Sequence, residues 1–167
     1  MGKESFILTY PNINPVAFGI GPLSIHWYGI AYVIGILSGY YLAIKANKKI
    51  TFNGNLSDLA SSILIGIIIG GRLGYVIIYD PSYYLSNPVD IIAIWKGGMS
   101  FHGGAIGALI GCIVHCKQHN LSIRKSLDIL ALAVTPGLFF GRIANFINGE
   151  LYGRATTGNW GMIFPNT

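Results

Sequence analysis

The residues best suited to chemistry lie in one run, Gly141-Arg142-Ile143-Ala144-Asn145-Phe146-Ile147-Asn148-Gly149-Glu150-Leu151-Tyr152-Gly153. An arginine lies one turn inside the end of a long apolar segment, and two amides and a carboxylate follow it. Polar groups at membrane depth are costly, so an arginine there is a functional-site hypothesis by default. The run has no helix-spaced His/Glu pair for a metal and no glycine–lysine loop for nucleotide phosphates. We therefore expect neither a metal nor a cofactor.

The composition is that of a membrane protein. The 167-residue chain is 52% hydrophobic and only 10% charged, whereas soluble domains carry about 25% charged residues. So few charges cannot cover a water-facing surface. The net charge of +5 comes largely from two short loops, so we expect a protein among membrane lipid and no nucleic-acid partner.

Apolar segments of about 20 residues, the length that spans the hydrocarbon layer, predict an all-α, polytopic fold. We predict one integral-membrane domain over 1–167, with about four transmembrane helices. Their predicted bounds are about 23–44, 59–79, 99–116 and 127–147. The third segment is barely long enough to span, and its glycines at four-residue spacing, Gly103, Gly107 and Gly111, predict packing against protein rather than lipid.

The distribution of Lys and Arg predicts the orientation. The loops 45–58 and 117–126 hold six of these residues. The proline-broken lead (residues 1–22), the 80–98 loop and the tail after residue 147 together hold three. The two basic loops are therefore expected in the cytoplasm, and the N-terminus and the Gly141–Gly153 run on the outer side, which is the periplasm in a bacterium.

This orientation places the unusual polar residues in one outer-leaflet layer. His26 and Tyr28 begin the first helix, Arg72 lies in the outer half of the second, His102 begins the third, and Arg142 lies near the end of the fourth. Few acids are near enough to neutralise two arginines at that depth. Because arginine suits bidentate phosphate recognition, we expect a phospholipid headgroup as the missing anion.

Each of these residues also has a simpler interpretation. Arg72 could snorkel to the interface, and Arg142 could form a structural pair with Glu150. His26 and Tyr28 suit an interfacial aromatic belt. Asn145 and Asn148 are costly to bury unsatisfied, so they either hold Glu150 and Arg142 in place or touch substrate.

The Gly141–Gly153 run resembles the signature of bacterial prolipoprotein diacylglyceryl transferases, with every fixed position occupied. Three further runs are similar to the same family in order and spacing: Ile25-His26-Trp27-Tyr28-Gly29, Gly70-Gly71-Arg72-Leu73-Gly74-Tyr75 and Gly98-Met99-Ser100-Phe101-His102-Gly103-Gly104. The resemblance implies a multi-pass inner-membrane enzyme that moves diacylglyceryl from phosphatidylglycerol to the lipobox cysteine of a preprolipoprotein signal peptide. A thioether forms and glycerol phosphate leaves.

The polar layer and the resemblance together give a hypothesis for each site residue. His102 accepts or relays the thiol proton, with Glu150 and Tyr28 as further catalytic residues. Arg142 binds the lipid phosphate, assisted by Arg72 and Asn145. The remaining candidates are expected to support the site: His26, Asn148, Gly103, Gly104 and Gly153.

Two alternatives and one departure from the family remain open. A small anion or phospholipid transporter would need a polar path across the whole membrane, and a non-catalytic scaffold would leave both arginines unexplained. Family members continue beyond the signature with further helices and a polar His-Pro-Ser-Gln-Leu-Tyr-Glu-like run, which this sequence lacks. We therefore expect the chain to be the N-terminal part of a longer fold, or to be inactive alone.

Overall fold

The computed structural model describes residues 8–21, 23–156, 158 and 161–164. The described residues form two compact units, whose boundaries fall within two of the long helices. The first, here called the terminal unit, contains the described residues up to Leu42 and those from Ala133 onward. The second, the central unit, is Ala43–Leu132.

Most of the described chain is helical, as the composition predicts. The helices are α1 (Trp27–Ile50), α2 (Leu56–Ile78), α3 (Pro81–Ser86), α4 (Phe101–Gln118) and α5 (Ile123–Ile147). Within the described residues, three helices are long and apolar enough to cross a membrane, namely α1, α2 and α5. The fourth long helix, α4, has 18 residues and ends in Lys117 and Gln118, so the number of spans stays a prediction.

The first helix begins later than predicted. Residues 23–26 form strand β3 (Leu23–His26), which pairs antiparallel with β2 (Val16–Ile20). Gly21 makes the turn between them at φ +59°, a conformation that glycine adopts readily. His26 therefore ends a hairpin and does not begin a helix, and the helical segment predicted over 23–44 runs from Trp27 to Ile50.

The other three helices begin two to four residues from their predicted starts, and at α2 and α4 a side-chain cap sets the start. The Asn55 side chain accepts a hydrogen bond from the Ser57 amide at 2.9 Å, so α2 begins at Leu56. The Ser100 hydroxyl accepts one from the Gly103 amide at 3.1 Å, so α4 begins at Phe101. These short polar side chains are preferred at helix N-caps. The 80–98 loop contains α3 and two 3₁₀ turns, Pro88–Ile92 and Ile94–Lys96.

In the central unit, α2 and α4 pack backbone to backbone through glycines. A Cβ on Gly66 or Gly70 would collide with the α4 carbonyls of Gly107 and Gly103, and a Cβ on Gly107 would collide with Gly66. Small residues at four-residue spacing permit such close approach of membrane helices. The prediction that the glycines of α4 pack against protein is confirmed.

In the terminal unit, the middle of α1 packs on the middle of α5 in the same way. A Cβ on Gly35 would lie 2.9 Å from the Gly137 Cα, and one on Gly39 would collide with the Ala133 carbonyl. Two short strands, β1 (Leu8–Thr9) and β4 (Met162–Ile163), pair in parallel beyond this contact.

Candidate active site

The predicted signature run folds into a glycine-closed turn at the end of α5. The Gly149 amide donates to the Phe146 carbonyl at 3.0 Å, and the Glu150 amide donates to the Asn145 carbonyl at 2.8 Å. These two bonds, with Gly149 at φ +66°, are the Schellman arrangement that ends many helices. Glu150 is therefore held by its backbone immediately after the helix.

Asn148 contacts the Glu150 carboxylate directly. Its Nδ2 donates to Glu150 Oε1 at 3.2 Å, while its Oδ1 is buried and has no hydrogen-bond partner among the described residues. A buried amide oxygen without a donor costs about 1–3 kcal/mol. Glu150 itself is exposed, so its second oxygen can meet a substrate or another donor.

Asn145 links this turn to α1 within the terminal unit. Its side chain is 9% exposed, and its Nδ2 donates to the Tyr28 hydroxyl at 3.1 Å. The Tyr28 ring lies 5.3 Å from that of Tyr32. Because the Asn145 carbonyl also accepts from the Glu150 amide, the predicted residues Tyr28, Asn145 and Glu150 form one connected chain of hydrogen bonds.

Arg142 is exposed on the last turns of α5. Among the described residues, Lys96 forms an ion pair with Asp90, whereas Arg142 forms none with Glu150. No hydrogen bond between Arg142 and another described residue is found either. The structural pair of Arg142 with Glu150 that the sequence left open is therefore absent.

Two supporting candidates of the terminal unit lie at its surface. His26 is exposed at the end of β3, with Nδ1 3.2 Å from the Ser24 carbonyl oxygen. Gly153 is exposed at φ +97°, where any other residue would be strained. The requirement at Gly153 is therefore conformational.

Arg72, in the central unit, is occupied by the backbone of the 80–98 loop. Its side chain is 4% exposed, and its guanidinium donates to the carbonyls of Asp90, Ile91, Gly97 and Gly98. The ring of Tyr84 lies 5.2 Å from its Cζ. Arginine has five N–H donors, so one is left for a phosphate. Direct phosphate binding by Arg72 remains a prediction, and only this one N–H group could donate to the phosphate.

An ionic cluster reinforces the same loop. Lys96 Nζ lies 2.7 Å from Asp90 Oδ1, and the Tyr83 hydroxyl donates to Asp90 Oδ2 at 2.6 Å. These hydrogen bonds, that of Lys96 first, hold the pKa of the Asp90 carboxyl below its ordinary value. A lowered carboxyl pKa favours the fold above the unfolded-state pKa, and this contribution is lost as pH falls through the folded-state pKa.

Replacing Arg72 with glutamine should destabilise the central unit. Hydrogen bonds to charged groups contribute about 1.5–3 kcal/mol each, so the loss should exceed about 2 kcal/mol. Thermal unfolding in detergent measures it, with the exposed Arg124→Gln as the matched control. Equal stability of the two variants, combined with lost lipid binding in Arg72→Gln, would assign Arg72 to the phosphate instead.

His102 lies in the first turn of α4 with its side chain exposed. Its ring centroid is 5.7 Å from that of Phe101, and it makes no hydrogen bond to the part of the chain that the structure describes. It also lines an apolar groove of about 580 Å³ between α2 and α4. The imidazole is thus accessible at the end of this groove.

The glycines after His102 differ from one another. Gly103 touches α2, where a Cβ would lie 2.9 Å from the Gly74 Cα, while a Cβ on Gly104 would have Ile67 at 3.6 Å as its nearest neighbour. Both are buried. From the sequence both were expected to support the site; in the structure Gly103 lies in the contact between α2 and α4.

In the terminal unit, hydrogen bonds therefore connect Tyr28, Asn145, Asn148 and Glu150. Arg142 lies on α5, the helix that also carries Asn145. The central unit holds Arg72, His102, Gly103 and Gly104. Sequence reasoning missed Tyr10, whose hydroxyl donates to the Ile147 carbonyl. No spacing pattern in the proline-broken lead points to this residue.

Comparison with known proteins gives one consistent result. Residues 15–167 match the sequence model of the family described as prolipoprotein diacylglyceryl transferase. A phosphatidylglycerol–prolipoprotein diacylglyceryl transferase of Wolbachia pipientis wMel is 54% identical over 157 residues, 93% of this chain and 60% of the relative. That of Rickettsia rickettsii (strain Sheila Smith) is 53% identical over 163 residues, 96% of this chain and 63% of the relative. The chain thus spans about three fifths of the length of these relatives.

Proposed function

Because the chain belongs to the prolipoprotein diacylglyceryl transferase family, we propose that it acts in the transfer of diacylglyceryl from phosphatidylglycerol to a preprolipoprotein. The acceptor is the lipobox cysteine thiol of the signal peptide. The observation that carries the proposal is the Gly141–Gly153 run, present in full and folded so that Arg142 and Glu150 are exposed.

The reaction exchanges one bond at the lipid glycerol. The acceptor sulfur attacks the carbon of the diacylated glycerol that is bonded to the phosphate oxygen. A carbon–sulfur bond forms, and the bond between that carbon and the phosphate oxygen breaks. The electron pair of that bond leaves with glycerol phosphate. A thiolate is the reactive nucleophile, so the thiol proton must be removed, and the charge of the leaving phosphate must be stabilised.

Arg142 and His102 fit these two requirements. Arg142 has no ion pair within the described residues, and its planar fork suits two phosphate oxygens at once. His102 is exposed and has no hydrogen bond to the described chain, so its imidazole can accept the thiol proton. In this proposal both side chains act in the outer leaflet, as the charges of the loops indicate.

The hydrogen-bonded chain of Tyr28, Asn145 and Glu150 orients the lipid headgroup. Asn145 is fixed through both its side chain and its carbonyl, which preorganises the polar surface beside Arg142. The free oxygen of Glu150 can accept a hydrogen bond from a glycerol hydroxyl. Such prepositioned groups raise rates because no reorganisation is needed at the moment of reaction.

This multi-pass membrane protein is proposed to face the periplasm with its N-terminus and active-site layer. A thiol reagent that cannot cross membranes should label Leu85→Cys in intact cells, because that position lies in the 80–98 loop and is 85% exposed. Lys48→Cys should react only after permeabilisation. The native Cys112 and Cys116 are fully buried and should not react with the reagent. Strong labelling at position 48 in intact cells would reverse the topology.

The transferase proposal is tested with the purified chain in phosphatidylglycerol vesicles and a lipobox peptide. Mass spectrometry should show a gain of one diacylglyceryl group on the peptide, with a cysteine-to-serine peptide as the control. Movement of phospholipid between leaflets without modification of the thiol would favour the transporter. Neither activity, with phosphatidylglycerol bound, would favour a scaffold.

A further inference from the structure

The end of α5 leaves none of its last four carbonyls unpaired. Ala144, Asn145 and Phe146 accept from the amides of Asn148, Glu150 and Gly149 at 3.0, 2.8 and 3.0 Å. The fourth, Ile147, accepts from the Tyr10 hydroxyl at 2.6 Å. Helix C-termini normally leave such carbonyls to water or caps. Here a side chain 137 residues away in sequence completes the set.

Tyr10 is itself firmly held. Its ring stacks on Phe164 with centroids 5.0 Å apart, and Phe146 meets it edge to face at 5.4 Å. Its amide donates to the Ile163 carbonyl at 3.0 Å, continuing the pairing of β1 with β4. A hydroxyl anchored in this way can fix the position of the carbonyl that it binds.

The Tyr10 ring also covers the turn. A Cβ added to Gly149 would lie 3.7 Å from the Tyr10 ring, at ordinary contact distance. The hydroxyl therefore fixes the carbonyl that precedes Asn148, and the ring limits movement of the turn that carries Glu150. The Asn148 amide group then sets the direction of the Glu150 carboxylate.

We propose that Tyr10 is a positioning residue that acts through Glu150, holding the turn after α5 in the geometry that diacylglyceryl transfer requires. This rests on the proposed function for its effect on rate, but its effect on the turn is independent of any activity. In this proposal Tyr10 does not contact the substrate. Its hydroxyl fixes the positions of Asn148 and Glu150 through the Ile147 carbonyl.

The first test measures amide hydrogen exchange of the protein in phosphatidylglycerol nanodiscs. Tyr10→Phe keeps the stacked ring and removes the hydroxyl. Losing one hydrogen bond should speed exchange at Gly149 and Glu150 by about two- to tenfold. The amides of residues 103–112 in α4 should be unchanged. The control is Tyr79→Phe, because Tyr79 stacks on Tyr75 at 5.1 Å and its hydroxyl has no hydrogen-bond partner among the described residues. Unchanged exchange at Gly149 and Glu150 in Tyr10→Phe would overturn the proposal.

The second test separates positioning from general stabilisation through reaction rates. Tyr10→Phe should lower kcat about tenfold, with KM for phosphatidylglycerol within about twofold, since misplaced groups cost rate more than binding. If Tyr10 acts through Glu150, its effect should largely vanish in a Glu150→Gln background, because coupled residues are not additive. Full additivity, or an unchanged kcat, would overturn the coupling. If the parent transfers no lipid, the proposed function fails, and the exchange result still decides the role of Tyr10 in the turn.

Discussion

Replacing His102 with glutamine should slow diacylglyceryl transfer by about 10²–10⁴-fold, the usual contribution of a positioned general base. Glutamine keeps similar size and hydrogen-bonding capacity but has no nitrogen that takes up a proton near neutral pH. His102 is exposed and forms no hydrogen bond to the described chain, so its loss should not disturb the fold. The rate is measured as thioether formation on a lipobox peptide at saturating phosphatidylglycerol.

His119→Gln is the matched control for this prediction. His119 is an exposed histidine at the other end of α4, so its replacement tests for general effects of losing an imidazole. Insertion, thermal unfolding and phosphatidylglycerol binding should be equal in the two variants and the parent. Transfer by His102→Gln at the parent rate would show that another group removes the thiol proton.

Replacing Arg142 with lysine should remove most of the activity while keeping the charge. Lysine is a point charge and cannot make the paired, planar contacts of a guanidinium with two phosphate oxygens. Hydrogen bonds to charged groups contribute about 1.5–3 kcal/mol, so loss of one such contact should reduce transfer at least about tenfold. Rates and phosphatidylglycerol affinity measured on the same preparations separate weaker binding from slower reaction.

The control for Arg142 is Arg154→Lys, another exposed arginine of the terminal unit. It should retain the parent rate. Near-normal transfer by Arg142→Lys would assign Arg142 to the snorkelling of a long cation toward the interface, and the proposed phosphate site would have to be sought elsewhere.

The sequence predicted the helices because their signals are local. Runs of about 20 apolar residues and glycines at four-residue spacing were enough to predict helices near α1, α2, α4 and α5 and the close packing of α4. The predicted start of α1 was wrong because Leu23–His26 has no charged residue and so continues the uncharged run of the helix that follows. Only its pairing with Val16–Ile20, a tertiary contact, makes it a strand.

The site shows the same division between local and long-range information. An exposed Arg142, and a glycine at the helix end before Glu150, follow from residue type and position. The contacts of Arg72 with carbonyls 18 to 26 residues away could not be predicted from the sequence. Sequence position alone does not distinguish an arginine that binds phosphate from one that binds backbone carbonyls. Tyr10 was missed for the same reason, since its partner lies 137 residues along the chain.

A phosphatidylglycerol donor labelled at two places tests whether the chain transfers diacylglyceryl to the lipobox cysteine. Phosphatidylglycerol carrying one isotope in its acyl chains and another in its headgroup glycerol is incubated with the chain and a lipobox peptide. The acyl label should appear on the peptide sulfur, and the headgroup label should appear, in equal amount, as water-soluble glycerol phosphate. Headgroup label released without acyl label on the peptide, or both labels remaining in intact lipid, would contradict the proposed transfer.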